Sequence, residues 1–135
     1  MRTSVPGVLV VSRFDVPQGD GPDFLARAEA ALAAFAACPG HLRGRVGRAA
    51  DDPTAWVLST EWEGVGAYRR SLSSYDVKVH AAPLLGQARD EPSAFEVLAS
   101  DGGSAPSRRA ADAARTRVGE SAGPAESDLP ESRRR

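Results

Sequence analysis

Residues 41–62 have the sequence HLRGRVGRAADDPTAWVLSTEW, in which the turn-forming tripeptide DDP separates two stretches of alternating side chains. The first stretch, from His41 to Ala49, has one polar face. In the second, one face is formed by the alternate residues Trp56, Leu58, Thr60 and Trp62. Because side chains alternate between the two faces of a β-strand, this segment predicts a β-hairpin at the centre of the fold.

A strand and a helix are predicted on the N-terminal side of this hairpin. The alternation of side chains from Val8 to Phe14 predicts the strand. Pro22 suits the first position of a helix, where a missing N–H group is tolerated, and the Pro39-Gly40 pair marks the end of that helix. The apolar side chains between them share one helical face, which is formed by Phe24, Ala28, Ala31, Leu32 and Phe35.

Two short helices and a final strand are predicted on the C-terminal side of the hairpin. Apolar residues from Val65 to Leu72 recur at helical spacing and predict the first of these helices. The second, from Val77 to Leu84, is expected to bend or end near Pro83. The segment from Ala94 to Leu98 predicts the last strand.

The predicted order of elements is β-α-β-β-α-β. This order matches the ferredoxin-like plait, an α+β fold in which helices cover one face of an antiparallel sheet. The other face of such a sheet has no cover within one monomer. Since a large exposed apolar face is normally an interaction surface, we expect a second copy of the chain to cover it, and the sequence therefore predicts a homodimer.

Composition limits the classes of partner and site. Among 135 residues, 17 are Lys or Arg and 18 are Asp or Glu, and a net charge of -1 gives no electrostatic basis for binding nucleic acid. The one cysteine, Cys38, excludes an intrachain disulfide, and with two histidines it makes no zinc site, so we expect no metal. His41, directly after Pro39-Gly40, is expected to be exposed. The apolar run from Val8 to Val11 is too short for a signal peptide or a membrane span, so we expect a cytoplasmic protein with no membrane partner.

The composition changes near residue 99. The segment 99–135 consists mainly of Gly, Ala, Ser, Pro and charged residues, and its large apolar side chains are Val118 and Leu129. That is too little apolar surface to offset the conformational entropy of ordering the segment. We therefore expect a folded domain over residues 5–98 and a disordered tail over 99–135.

Strong catalytic motifs are absent from the sequence, which has no Walker loop, no GxGxxG after a strand, and no CxxC or HExxH. Trp62 ends the third predicted strand, Tyr68 and Ser71 lie one turn apart on the next helix, and Tyr75 and His80 follow. A cleft between the sheet and these helices would be aromatic with a few polar groups, as small-molecule sites are. The alternative, which the residues alone favour, is that they are ordinary packing residues of a small domain.

Four stretches occur in an order and spacing that are typical of one family. They are VVSRF, then PGHLRGRVGR, then WVLSTEWEGVGAYRRSLSS, and a closing strand. The best marks are the Pro39-Gly40 pair that opens the second strand and Trp62, which is followed by an acidic residue and a helix. Over roughly residues 7–98, the chain resembles the antibiotic biosynthesis monooxygenase family, also known as the dimeric α+β barrel proteins.

This resemblance implies a ferredoxin-like monomer whose sheet pairs with a second subunit to close a barrel. It also implies oxygenation of a small aromatic polyketide or a quinol-like compound by O2 without metal or flavin, so no cofactor is expected. The substrate anion would give an electron to O2 while the protein holds the ring and excludes water. Trp62 would then line the pocket, Tyr68 and Tyr75 would hydrogen-bond a phenolic oxygen, and Arg13 would stabilise a developing anion if it points inward.

The sequence departs from the family on the second helix. Many relatives carry a histidine nine residues after this tryptophan, where the present chain has Ser71. The absence of that histidine weakens the case for general-base catalysis. A non-catalytic barrel, which binds a small molecule or serves as a dimer scaffold, is therefore the second hypothesis.

Haem binding or degradation is the third and least favoured hypothesis. Haem-degrading relatives use an asparagine in the first strand, a tryptophan on the second helix and a histidine further on. The corresponding positions here are Ser12, Ser71 and Ala81, with His80 one place out of register. A one-residue slip would be needed to make His80 a haem ligand.

Overall fold

The computed structural model describes residues 6–101. The chain divides into two units, Met1–Leu98 and Ala99–Arg135, and every helix and strand below belongs to the first. The predicted disordered tail lies outside the described residues, apart from 99–101. The elements are β1 (Val8–Asp15), α1 (Gly21–Ala36), β2 (His41–Ala49), β3 (Asp52–Trp62), α2 (Val65–Ser71), α3 (Tyr75–His80), α4 (Ala82–Leu85) and β4 (Ala94–Glu96).

The four strands form one antiparallel sheet in the order β2-β3-β1-β4. This arrangement, with its helices, confirms the predicted ferredoxin-like α+β fold. The predicted hairpin forms β2 and β3, and Val46 pairs with Leu58 across it. Strand β3 begins at Asp52, before the predicted alternation, which starts at Trp56. Pro53 is compatible with this earlier start, since proline is tolerated at a strand's first positions. Strand β4 ends at Glu96, short of its predicted end.

Helix α1 begins and ends at the predicted signals. Pro22 lies in its first turn together with Asp23, whose carboxylate interacts favourably with the helix N-terminus. After the helix, Gly40 adopts a φ of 88°, a left-handed conformation that lets the chain reverse into β2. The helix buries one face, which is formed by Phe24, Ala28, Ala31, Ala34 and Phe35.

Three short helices, rather than the predicted two, follow the hairpin. At the start of α3, the Ser74 side chain accepts a hydrogen bond from the Val77 backbone N–H at 3.4 Å. The second predicted helix breaks at Ala81, and Pro83 lies in the first turn of α4. Because proline has no N–H to donate, the break near Pro83 is the one the sequence predicts.

The core lies between the helices and one face of the sheet. Aromatic rings fill both ends of it: Phe24 packs between Phe14 and Trp56 with centroid distances of 5.0 and 5.1 Å, and Phe35 packs edge-on against Trp62 at 5.7 Å. On β1 and β3 the side chains packed under the helices include eight buried residues, namely Val8, Val10, Ser12, Phe14, Trp56, Leu58, Thr60 and Trp62.

The opposite face of the sheet, which we call the open face, carries both apolar and charged side chains. Leu9, Val11 and Val57 are partly buried, and Phe95 is 47% exposed. Arg45 forms an ion pair with Glu61 at 3.2 Å beside them. The helices pack against the other face, so no helix of residues 6–101 covers these apolar side chains.

Candidate functional site

A cleft of about 420 Å³ opens between β1, α2 and the segment that connects α4 to β4. Ser12 on β1, Tyr68 on α2 and Leu85 on α4 line it. The rest of the wall belongs largely to residues 86–93, which we call the rim segment. This volume lies within the range of small-molecule sites.

A small cavity of about 10 Å³, which we call the inner chamber, adjoins this cleft. It shares Ser12, Tyr68 and Leu85 with the cleft. Its volume is close to what one water molecule needs. The remaining lining is apolar except for one hydroxyl, and it consists of Val10, Phe35, Leu58 and Thr60. Three residues that carry a hydroxyl group, Ser12, Thr60 and Tyr68, therefore line a chamber whose other walls are apolar.

Ser12 and Thr60 reach the inner chamber because of the strand register. Ser12 pairs with Leu58 and Thr60 pairs with Val10 across β1 and β3, so the two hydroxyl residues are diagonal neighbours on the same face. Both are buried. The Thr60 Oγ1 atom accepts a hydrogen bond of 2.8 Å from Trp62 Nε1. The sheet thus presents two polar groups on an otherwise apolar face.

Tyr68 is a half-buried residue on α2 whose ring packs against Trp62 with a centroid distance of 5.8 Å. Burial raises the pKa of the Tyr68 phenol, since water solvates the phenolate better than the protein does. The phenol, like that of an ordinary tyrosine, is protonated at neutral pH and has a hydrogen to donate.

Two exposed ion pairs hold the rim segment against β1. Arg89 Nη2 lies 2.7 Å from Asp15 Oδ1, and Arg13 Nε lies 2.8 Å from Glu91 Oε2. The Arg89 backbone N–H also donates to the Arg13 carbonyl at 2.8 Å. Hydrogen bonds from the arginines lower the pKa of Asp15 and of Glu91. Of the charged residues that line the cleft, Arg89 and Glu91 are therefore paired with residues of β1.

Trp62 and Ser71 do not line the cleft, although the sequence analysis places Trp62 in its wall. Trp62 is 0% exposed and lies behind the wall, with its N–H group bonded to Thr60. Ser71 is 3% exposed, and its Oγ donates to the Tyr68 carbonyl at 2.6 Å within the same helix. The hydroxyl that replaces the expected histidine is thus bonded to its own backbone.

Tyr75, His80 and Arg13 are likewise outside the cleft. Tyr75 is 77% exposed at the start of α3, and His80 is exposed at its end. Arg13 lies between Ser12 and a phenylalanine that both face the helices, so alternation turns it to the open face, where it borders a shallow depression. Of the six candidates from the sequence, Tyr68 is the residue that the structure brings to the cleft.

His41 is partly buried, and the prediction that it is exposed is wrong. A register irregularity between His41 and Arg43 leaves His41 opposite Trp62, and the two rings meet edge-to-face at 5.1 Å. The Nε2 atom is buried with no hydrogen-bond partner among the described residues. Burial lowers the pKa of this imidazole, because the charged form loses solvation. The ring acts as a packing group behind Trp62.

The sequence analysis did not select Ser12 and Thr60 for the site, although the strands contain a signal for them. Each is a hydroxyl residue at a position where the alternation is otherwise apolar on that face. A buried polar group of this kind needs a partner, so it indicates either an internal hydrogen bond or a ligand. The rim residues carry no comparable signal, because their segment has no periodicity.

The profile of the antibiotic biosynthesis monooxygenase family matches residues 7–82. This chain belongs to the antibiotic biosynthesis monooxygenase family. The match includes β1, the central hairpin and α2, which are the elements that carry Ser12, Thr60 and Tyr68. The predicted family membership is confirmed.

Two of the proteins to which this chain is similar come from Streptomyces. A 42.8 kDa protein in the whiE locus of Streptomyces coelicolor is 33% identical over 98 residues, which is 71% of this chain. The chain spans 25% of that relative's length. SnoaB of Streptomyces nogalater, a cofactor-independent oxygenase, is 26% identical with a TM-score of 0.62, and the similarity covers 73% of this chain and 99% of SnoaB.

The fold also occurs in more distant proteins. A conserved protein from Methanosarcina mazei Go1 is 17% identical with a TM-score of 0.58, over 68% of this chain and 93% of that protein. At this identity the similarity concerns the fold alone. Among the residues that the structure describes, no helix has the length and apolar character needed to cross a membrane.

Proposed function

We propose that this protein is a cofactor-independent monooxygenase that acts on a small aromatic compound of polyketide-like or quinol-like type. Family membership and the similarity to SnoaB support an oxygenase role. The observation that carries the proposal is the composition of the cleft. Apolar walls and three hydroxyl groups form its inner end, while the ion pairs lie at its mouth. Such a space suits a flat ring that bears oxygen substituents.

The proposed reaction needs no redox group from the protein. A phenolate or carbanion form of the substrate transfers one electron to O2, and the resulting radical and superoxide combine into a carbon–oxygen bond. Protonation of the peroxide and loss of water then leave a carbonyl group. One oxygen atom of O2 enters the product and the other leaves as water.

The chain's own residues hold the ring and its charge. In this proposal the hydroxyls of Ser12, Thr60 and Tyr68, which line the inner chamber, donate hydrogen bonds to an oxygen atom whose negative charge is spread over the ring. The apolar side chains beside them exclude bulk water, which strengthens those hydrogen bonds. Tyr68 contributes as a donor because its phenol is protonated at neutral pH, and burial raises its pKa further.

Ligand binding without turnover is the second candidate function. Ser71 is bonded within its own helix, and no carboxylate or imidazole lines the inner chamber in the part of the chain that the structure describes. A substrate oxygen in the inner chamber would therefore have no base beside it, since the carboxylates of the site, Asp90 and Glu91, line the outer cleft. The haem hypothesis has less support, since it depends on His80, which is exposed and lies outside the cleft lining.

Oxygen uptake tests the enzymatic proposal. With an oxygen electrode and a panel of anthrone, 1,8-dihydroxyanthrone and 1,4-naphthohydroquinone, we expect the wild type to exceed the spontaneous oxidation rate. Tyr68→Phe should lower kcat/KM by roughly 10- to 100-fold, the usual value of a hydrogen bond to a charged oxygen. Tyr75→Phe is the matched control, since this tyrosine is 77% exposed and away from the cleft.

The same measurements separate the two candidate functions. If the panel compounds bind saturably but oxygen uptake is no faster than the spontaneous rate, the result would support the ligand-binding function and contradict the monooxygenase proposal. A loss in Tyr75→Phe as large as that in Tyr68→Phe would show that the cleft is not the site. Incorporation of label from ¹⁸O2 into the product identifies the oxygenation itself.

We also propose that two copies of the chain associate through the open face. Leu9, Val11 and Val57 lie there partly buried, and Phe95 is 47% exposed. Burying them against a second copy would remove apolar surface from water, which is the main driving force of association. The flanking pair of Arg45 and Glu61 leaves charged groups at the border of the apolar area, as in most interfaces.

The oligomeric state of the full chain tests this association. Light scattering during size exclusion at micromolar concentration should give the mass of a dimer for the wild type. Val57→Arg, which places a charge in the centre of the open face, should raise the dissociation constant at least about 100-fold. Val65→Arg is the matched control, since this exposed valine lies on α2. A monomeric wild type would overturn the proposal.

A further inference from the structure

Trp62 is held rigidly between the cleft wall and the helices. It is 0% exposed, and its ring is in contact with those of Phe35, His41 and Tyr68 at centroid distances of 5.7, 5.1 and 5.8 Å. These ring contacts fix the direction of the indole N–H group. That group points along the strand face to the hydroxyl of Thr60, at 2.8 Å.

The direction of this hydrogen bond fixes the role of Thr60. An indole N–H group donates and never accepts, so Thr60 Oγ1 is the acceptor. The hydroxyl's own hydrogen must then be directed elsewhere. Among the described residues, Trp62 Nε1 is the partner of this oxygen, and the side chain lines the inner chamber. The hydrogen is therefore left for whatever occupies that chamber.

We propose that Trp62 is a positioning residue that acts through Thr60, so that Thr60 donates a hydrogen bond to an oxygen atom of the bound ligand in the inner chamber. The inference rests on the proposed function to the extent that it takes the cleft as the ligand site. The ligand enters with one oxygen atom first, and Thr60 binds that oxygen.

The chemistry of the inner chamber defines the group that it accepts. Its polar atoms are the hydroxyls of Ser12, Thr60 and Tyr68, and the described residues that line it include no cationic side chain. A carboxylate there would lose its hydration without a counter-ion, which is unfavourable. A carbonyl or phenolic oxygen on an aromatic ring requires less desolvation and accepts from hydroxyl donors. The ligand therefore enters with that oxygen first and leaves the rest of the ring toward Arg89 at the mouth.

Binding of 1,8-dihydroxyanthraquinone tests this assignment independently of oxygen consumption, because this quinone is already oxidised at the reacting carbon. Thr60→Val removes the hydroxyl and nearly preserves the shape, and it should raise Kd about tenfold. Thr60→Ser keeps the hydroxyl and should stay within about twofold of the wild type. Trp62→Phe keeps an aromatic ring and removes the N–H group, and it should raise Kd by about three- to tenfold.

A double-mutant cycle distinguishes positioning from separate contributions. If Trp62 acts through Thr60, then adding Trp62→Phe to Thr60→Val should raise Kd no further, since the hydroxyl that the indole orients is already gone. Additive effects would show that Trp62 contributes on its own and would overturn the proposal. The double variant also lacks both members of the hydrogen bond, so it leaves no buried indole N–H without a partner.

Indole N–H signals in a ¹⁵N-labelled protein give a readout that a purely structural role would not change. Only two tryptophans are present, and Trp56 donates instead to the Pro53 carbonyl at 3.2 Å. The quinone should shift the Trp62 signal, because a second hydrogen bond polarises the Thr60 hydroxyl. The Trp56 signal should stay in place and so report that each variant is folded.

The possible outcomes separate this inference from the function on which it rests. Quinone binding that is equal in the wild type and in Thr60→Val would overturn the assignment of Thr60 and leave the monooxygenase proposal intact. Failure of the wild type to bind the quinone or any oxidisable compound of the panel would overturn both. Binding that depends on Thr60, with no oxygen uptake, would support the assignment of Thr60 and contradict the monooxygenase proposal.

Discussion

Trp62→Ala is expected to lower the free energy of unfolding by about 3–5 kcal/mol, the usual result of truncating a fully buried aromatic side chain. Trp62 is 0% exposed and touches the rings of Phe35, His41 and Tyr68. The substitution would leave a cavity among these rings, and Thr60 would lose its hydrogen-bond partner. Urea unfolding followed by far-UV circular dichroism measures the loss.

Two further variants show which part of that loss comes from the ring. Trp62→Phe should cost about 1–2 kcal/mol, because it keeps most of the aromatic contact and loses the hydrogen bond to Thr60. Tyr75→Ala removes an aromatic ring that is 77% exposed and should change the free energy of unfolding by less than about 0.5 kcal/mol. Equal losses in Trp62→Ala and Tyr75→Ala would contradict the central place of Trp62 in the core.

Gly40→Ala is expected to destabilise the fold by about 2–5 kcal/mol through two separate effects. The φ of 88° is a left-handed conformation that a side chain disfavours. A Cβ atom at this position would also collide with the Cβ atom of Ala67 on α2. The Gly40 carbonyl accepts a hydrogen bond of 2.9 Å from the Glu63 backbone, so the strain reaches the start of the helix that carries Tyr68.

Gly19→Ala separates these two effects. Gly19 has a φ of 106°, and no atom lies within 4 Å of the position that its Cβ atom would take. Its substitution should cost about 1 kcal/mol, from the backbone alone. In the Gly40→Ala background, Ala67→Gly should recover about 1–3 kcal/mol in a double-mutant cycle, because it removes the collision. If Gly19→Ala is as destabilising as Gly40→Ala, the collision with α2 does not occur.

The sequence predicts most of the fold because its strands and helices follow simple periodicities. The alternation of side chains around Leu58 gives β3 and its buried face, and Pro83 gives the break between α3 and α4. Alternation even fixes the face on which Arg13 lies, since its neighbours Ser12 and Phe14 are buried. In the structure the Arg13 side chain pairs with Glu91 and is not part of the cleft lining.

The candidate site was harder to predict, because it depends on departures from periodicity. The irregularity after His41 places that ring against Trp62, and no local pattern in the sequence marks it. The family resemblance identified Trp62 as a candidate, but it does not determine whether the ring faces the cleft or lies behind its wall. The ion pairs of Arg89 and Glu91 join residues far apart in the chain, which spacing alone does not reveal.

The attachment of the rim segment to β1 has a consequence for the local stability of the cleft wall. Exposed ion pairs are weakened by solvent, and the three-residue edge strand β4 that follows is exposed. This part of the chain can open locally while the aromatic core around Trp62 stays closed. Entry to the cleft and global stability thus depend on different residues. We expect substitutions within 86–93 to change which compounds enter the cleft while the packing of the core stays the same.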